Sequence, residues 1–110
     1  MTQSERRVAV TGVGIVCPIG IGRAAAWEAA VAGRSGAGPI TRFDASRHGV
    51  QIACEVKGFE PTDFIDRKAA RRMDRVAQMA VAAARMAVEE SGVVIDGRNE
   101  RVGCVVSTGN

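Results

Sequence analysis

The longest regular pattern in the chain is Asp66-Arg-Lys-Ala-Ala-Arg-Arg-Met-Asp-Arg-Val-Ala-Gln-Met-Ala-Val-Ala-Ala-Ala-Arg-Met-Ala-Val-Glu-Glu-Ser91, closed by Gly92. At about 100° per residue, Met73, Val76, Ala77, Ala80, Val81, Ala83, Ala84, Ala87 and Val88 fall on one arc of roughly 160°. The pattern predicts one long helix over residues 66–91, with Gly92 as its stop. So many alanines on the apolar side imply close approach to a neighbouring element. Met79 and Met86, seven residues apart on the other side, predict a C-terminal half buried on both faces.

The same stretch holds the main concentration of charge. Residues 67–75 contain Arg67, Lys68, Arg71, Arg72 and Arg75 against one acid, Asp74. In a continuous helix Lys68, Arg71, Arg72 and Arg75 follow the i, i+3, i+4, i+7 spacing and form one basic stripe opposite the apolar arc. Its place in the first turns works against the helix dipole, which favours acids there. Two readings follow: an ordinary solvated face, or a dock for an acidic partner. Nucleic acid fits less well, because no aromatics interleave with the cations and the whole chain of 110 residues carries a formal charge of +3.

Outward from this helix, the rest reads as α/β. Arg7-Val-Ala-Val-Thr11 predicts a buried strand, and Gly12-Val-Gly14 behind it a structural turn. Arg23 to Ala32 predicts a helix, with Trp27 and Val31 as its core contact and Gly33 as its end. Gly33 to Pro39 reads as a loop, and Gln51-Ile-Ala-Cys-Glu-Val56 has the alternation of a strand. Arg101-Val-Gly-Cys-Val-Val-Ser107 predicts a second buried strand. Strand, helical layer and strand together predict at least partly parallel pairing. Two or three strands and one long helix do not cover both faces of such a sheet, so residues 1–110 are expected to be the N-terminal part of a larger domain.

Composition bounds the function classes. With 46% hydrophobic and 25% charged residues the chain is ordinary globular material. Aromatics make up 4%, so the core must be aliphatic. No apolar run is long enough to span a bilayer, and no secretory signal pattern opens the chain, which predicts a cytoplasmic protein without a membrane partner. Cys17, Cys54 and Cys104 are odd in number and widely spaced, with no C-x-x-C, which predicts neither zinc nor a disulfide framework. Cys54 and Cys104 read as small core residues and Cys17 as the better reactive candidate. His48 reads as an ordinary loop histidine. Thr11-Gly-Val-Gly14 lacks the third glycine of the dinucleotide fingerprint, since Cys17 stands there, so a nucleotide cofactor is not expected.

Several segments in order resemble the N-terminus of beta-ketoacyl-acyl-carrier-protein synthases. They are Val8-Ala-Val-Thr-Gly-Val-Gly-Ile-Val-Cys-Pro-Ile-Gly20, Trp27 with Ala32-Gly-Arg-Ser-Gly36, Arg42-Phe-Asp44, Ile65-Asp-Arg-Lys-Ala-Ala-Arg-Arg-Met-Asp74, and Arg101 through Gly109. The resemblance covers the chain from Arg6, and Arg42-Phe-Asp44 and Arg71-Arg-Met-Asp74 are closer to the type II synthase of bacterial fatty-acid synthesis. It implies the thiolase-like fold, a homodimer, no cofactor and no metal. The implied chemistry is acyl transfer onto a cysteine followed by decarboxylative Claisen condensation with malonyl-acyl carrier protein. The implied catalytic Cys and its two His partners match no residue of this chain, so the chain alone is expected to be inactive. The implied carrier-protein dock falls on Lys68, Arg71 and Arg72. Asn110 matches the mouth of the acyl pocket, where a bulky apolar side chain is usual; this leaves acyl-chain length open, along with a polyketide-type ketosynthase or a non-catalytic chain-length factor. A nucleotide-binding domain is the most distant alternative.

Overall fold

The computed structural model describes residues 5–109. Val16–Cys17 (β1) and Gly20–Ile21 (β2) pair antiparallel, Val16 opposite Ile21 and Cys17 opposite Gly20, about a turn at Pro18-Ile19. Arg23–Val31 (α1) follows. Ala37–Pro39 (β3) and Ile52–Cys54 (β4) form a second antiparallel pair, with Gly38 opposite Ala53. A 3-10 turn at Pro61–Asp63 leads into Arg67–Ala70 (α2), and then Arg75–Ser91 (α3).

The 66–91 stretch is therefore two helices, not one. Asp74 causes the break: its backbone is extended, and its Oδ1 accepts from the Ala77 N–H at 2.8 Å as the N-cap of α3. Asp66 caps α2 in the same way, accepting from the N–H groups of Lys68 and Ala69 at 3.0 and 3.2 Å. The predicted stop holds, because Gly92 ends α3 in the left-handed conformation with φ 67°.

The alanine-rich side of α3 is approached closely, and by Gly12 and Gly14. A Cβ placed on Gly14 would collide with the backbone carbonyl of Ala83, and one on Gly12 with that of Ala87. Neither glycine has positive φ, and residues 5–15 run without a turn. The expected turn at Gly12–Gly14 is thus replaced by a contact in which bare backbone lies against helix backbone. Glu90 secures it: one carboxylate oxygen accepts from the Val13 N–H at 2.6 Å and the other pairs with Arg23 of α1 at 2.7 Å. The opposite side of α3 holds Ala82, completely buried, with Met79 and Met86 half-buried, but Val76, Val81, Ala84 and Val88 of the expected apolar arc are exposed, so only the part of that arc facing Gly12 and Gly14 is covered.

Other expectations are corrected. Arg7–Thr11 and Arg101–Ser107 form no strand, Arg101 lying in a turn, and Val8, Val10 and Val105 are exposed, because no strand among the described residues lies beside them to complete a ladder. Parallel pairing is absent among the described residues; both sheets are local hairpins. The supposed loop before Ile40 contains β3. In α1 the buried residues are Ala26 and Ala29, whereas Trp27 and Val31 are about 70% exposed. Cys54 and Cys104 are exposed rather than core residues. The radius of gyration, 17.8 Å, exceeds the roughly 13 Å of a compact domain of this length, in keeping with so much uncovered apolar surface.

Beyond β3, the carboxylate of Glu55 accepts from the Thr41 hydroxyl at 2.7 Å and from its N–H at 3.1 Å, closing the β3–β4 pair. The hydroxyl, then the amide, hold the Glu55 carboxyl below its ordinary value of 4.5. A depressed carboxyl contributes stability above the ordinary value and loses it as pH falls through the folded one. Thr41→Val should move the Glu55 titration midpoint back up toward 4.5, read by NMR of the side-chain carboxyl carbon. Gly14→Ala should destabilise the chain by about 1–3 kcal/mol in urea unfolding followed by helical circular dichroism, the cost of overpacking. Gly49→Ala, where nothing lies within 4 Å of the added Cβ, should change stability by less than about 0.5 kcal/mol.

Candidate functional site

Lys68, Arg71 and Arg72 lie on α2 and just past its end, all three exposed. Arg71 is the C-cap residue of α2, and Arg72 belongs to the connection into α3. Among the described residues none of the three forms a salt bridge; the ion pairs are Arg23–Glu90 and Arg34–Glu28. The break at Asp74 removes the continuous stripe and its clash with the helix dipole, since Arg71 and Arg72 fall at the exit of a four-residue helix rather than in the first turn of a long one.

Arg75 leaves the cluster altogether. It is half-buried, donates to the Val56 carbonyl at 3.3 Å, and stacks over the Phe59 ring with its guanidinium carbon 5.4 Å from the centroid. Phe59 in turn stacks on Phe64 at 6.0 Å. Two further polar side chains of α3 work alike. Gln78 donates to the Ala70 carbonyl at 2.8 Å and the Met73 carbonyl at 3.3 Å, and Arg85 donates to the Phe64 carbonyl. Residues 75, 78 and 85 share the side of α3 that carries Ala82. The sequence places Arg75 in the basic stripe, on a solvated face or a dock; the overlooked signal is a row of long donors flanking a small residue, suited to reach the carbonyls of an irregular segment.

The segment bearing the cations is therefore tied down. Ala70 and Ile65 are buried beneath it. Glu60 accepts from the Thr62 hydroxyl at 2.8 Å and its N–H at 3.2 Å; these bonds, helped by the charge of Arg67, hold its carboxyl below the ordinary value. Glu60 thus remains an anion near Arg67, while Lys68, Arg71 and Arg72 face outward with no acid paired to them.

The other candidates separate from this patch. Cys17 donates from Sγ to the Gly20 carbonyl at 3.3 Å within the β1–β2 hairpin. It lines an apolar hollow of about 740 Å³ together with Ile15, Ile19, Arg23, Trp27 and Ala30. His48 packs edge-on against Phe43 at 5.6 Å in the loop between β3 and β4, as a loop histidine would. Asn110 lies outside the described residues. Among those residues no cluster of three or more His, Cys, Asp or Glu could hold a metal ion, and no helix is long and apolar enough to cross a membrane.

Comparison with known proteins gives these features a context. Residues 5–110 match the sequence profile of the beta-ketoacyl synthase N-terminal domain. The chain is 45% identical over 106 residues to 3-oxoacyl-[acyl-carrier-protein] synthase 2 of Coxiella burnetii, and 43% to the protein of that name from Synechocystis. In both cases 96% of this chain is covered and 26% of the relative, so the chain spans about a quarter of their length. Among solved structures it resembles the ishigamide ketosynthase/chain length factor, with a TM-score of 0.71 and 47% identity over 77% of this chain and 21% of that one. The mixed helix-and-strand arrangement is accordingly an N-terminal part of the thiolase-like fold, and the chain belongs to the beta-ketoacyl synthase family.

Proposed function

We propose that this chain serves a condensing enzyme of fatty-acid synthesis, a cytoplasmic homodimer, as the part that receives acyl carrier protein. The reaction is extension of an acyl chain by two carbons. An acyl group passes from its carrier thioester to a cysteine sulfur, releasing the carrier thiol. Malonyl-acyl carrier protein then loses carbon dioxide, and the resulting carbanion attacks the acyl-cysteine thioester, breaking its C–S bond and expelling the cysteine thiolate, to give the 3-oxoacyl product on the carrier. Both substrates arrive on an acidic protein, so the enzyme needs a cationic landing surface outside its pocket. None of Cys17, Cys54 or Cys104 is assigned the nucleophilic role.

The observation that carries this reading is the trio Lys68, Arg71 and Arg72: exposed, without intramolecular ion pairs among the described residues, and mounted on a segment fixed from below. Unpaired surface cations on a rigid support attract an acidic partner without first having to break internal pairs. Such rim charges act mainly on association rate and on salt dependence. A second reading, a chain-length factor that binds the carrier without catalysis, is supported by the 47% identity to the ketosynthase/chain length factor structure. The two readings share the dock and differ in the nucleophile.

Reversing all three charges (Lys68→Glu, Arg71→Glu, Arg72→Glu) should weaken binding of purified acyl carrier protein by about tenfold or more at low ionic strength, given a few tenths to 1 kcal/mol per exposed pair. The difference should shrink at high salt. Isothermal titration at two salt concentrations checks both points, and an unchanged affinity at low salt would remove the dock.

A further inference from the structure

We infer that Gln78 is the positioning residue of the basic segment: its side-chain amide holds the carbonyls that end α2, and so selects the broken helix on which Lys68, Arg71 and Arg72 face outward. The inference rests on the docking reading above.

The sequence between Asp66 and Ser91 has the pattern of one continuous helix, and that helix is the natural competitor of the observed arrangement. In it the Met73 carbonyl would accept from the N–H of Ala77, four residues on. In the structure that N–H is taken by the Asp74 carboxylate at 2.8 Å. The carbonyl left behind is met by Gln78 Nε2 at 3.3 Å, and the same amide nitrogen reaches the Ala70 carbonyl at 2.8 Å. The Ala70 carbonyl, on a buried residue, already accepts from the Met73 N–H at 3.2 Å, and the Gln78 amide adds a second, shorter bond that fixes it to α3. Asp74 opens the helix, and Gln78 satisfies what the opening exposes.

Four residues of helix do not persist alone. The path of α2, and with it the spacing of the three cations, depends on this tie and on the outer anchors Arg75 and Arg85. Gln78 touches no substrate in this account. It acts on the arrangement of the charges, not on their number.

The test compares two probes on the full chain: purified apo-acyl carrier protein, which senses the arrangement of charges, and polyglutamate, which senses their number. Gln78→Met keeps length and removes the donors. It should weaken carrier-protein binding by about threefold to tenfold, the scale of one or two hydrogen bonds, and leave polyglutamate binding unchanged. Backbone carbon shifts at Arg72–Asp74 should move toward helical values. Gln78→His, which retains a ring N–H donor at similar reach, should restore binding. If Gln78→Met loses its helical signal, Gln78→Leu, equally uncharged and without donors, is read in its place. Carrier affinity unchanged in the donorless variant, while the triple charge reversal abolishes binding, would overturn the role of Gln78 and leave the dock standing. Carrier affinity unchanged in the triple reversal would overturn the dock itself.

Discussion

Backbone lies directly against backbone where Gly12 and Gly14 meet the carbonyls of Ala83 and Ala87, and the remaining packing is arranged around that contact. Gly12 and Gly14 have no room for a Cβ, and small alanines on the facing turns of α3 let the chain come this near. The approach brings the Val13 N–H to the Glu90 carboxylate, and Glu90 then draws in Arg23 and with it α1. A single exposed carboxylate thus joins three segments, but it can do so because the glycines let the chain come near enough. The 56–73 segment is held by Arg75, Gln78 and Arg85 to the other side of α3, the side that carries the buried Ala82.

That two-sided use of α3 explains how the cations divide. Arg75 and Arg85 have long stems beside a small residue and turn inward, where their guanidinium groups satisfy backbone carbonyls that the irregular 56–73 path leaves without partners. Lys68, Arg71 and Arg72 are exposed and form no salt bridge among the described residues, so their charge is directed at solvent. One cluster in the sequence performs two jobs. The inward members give stiffness and the outward members give charge, and a docking surface for an acidic protein needs both, since ordering a floppy patch on binding would cost part of the affinity.

The legible parts of this fold are the ones that local chemistry determines. α1 and α3 follow from alanine-rich composition and from Gly33 and Gly92 at their ends, and the strand at Ile52–Cys54 from its alternation. Asp74 was visible but ambiguous: within an apolar-periodic run an aspartate serves equally as a solvated helix residue or as an N-cap, and the choice depends on whether Gln78 can reach back to the vacated Met73 carbonyl. That is a contact between elements, which periodicity does not encode. Arg7–Thr11 and Arg101–Ser107 have strand composition, yet a strand is defined by its neighbour, and none stands beside them among the described residues. For Trp27 the i, i+4 rule chose the larger side chains, whereas the β1–β2 hairpin packs onto the small ones, Ala26 foremost. Of the candidate site, the identity and sign of the charges were readable; their geometry was not.

The central claim is that an acidic carrier protein lands on the segment from Arg67 to Arg72. Titrating isotopically labelled chain with apo-acyl carrier protein, and following backbone amide shifts residue by residue, tests it most directly. The account predicts that the largest shifts fall on residues 67–72, extend to the backbone around Gln78, and fade as salt is added. Shifts concentrated instead on the apolar hollow around Ile19 and Trp27, and insensitive to salt, would contradict it.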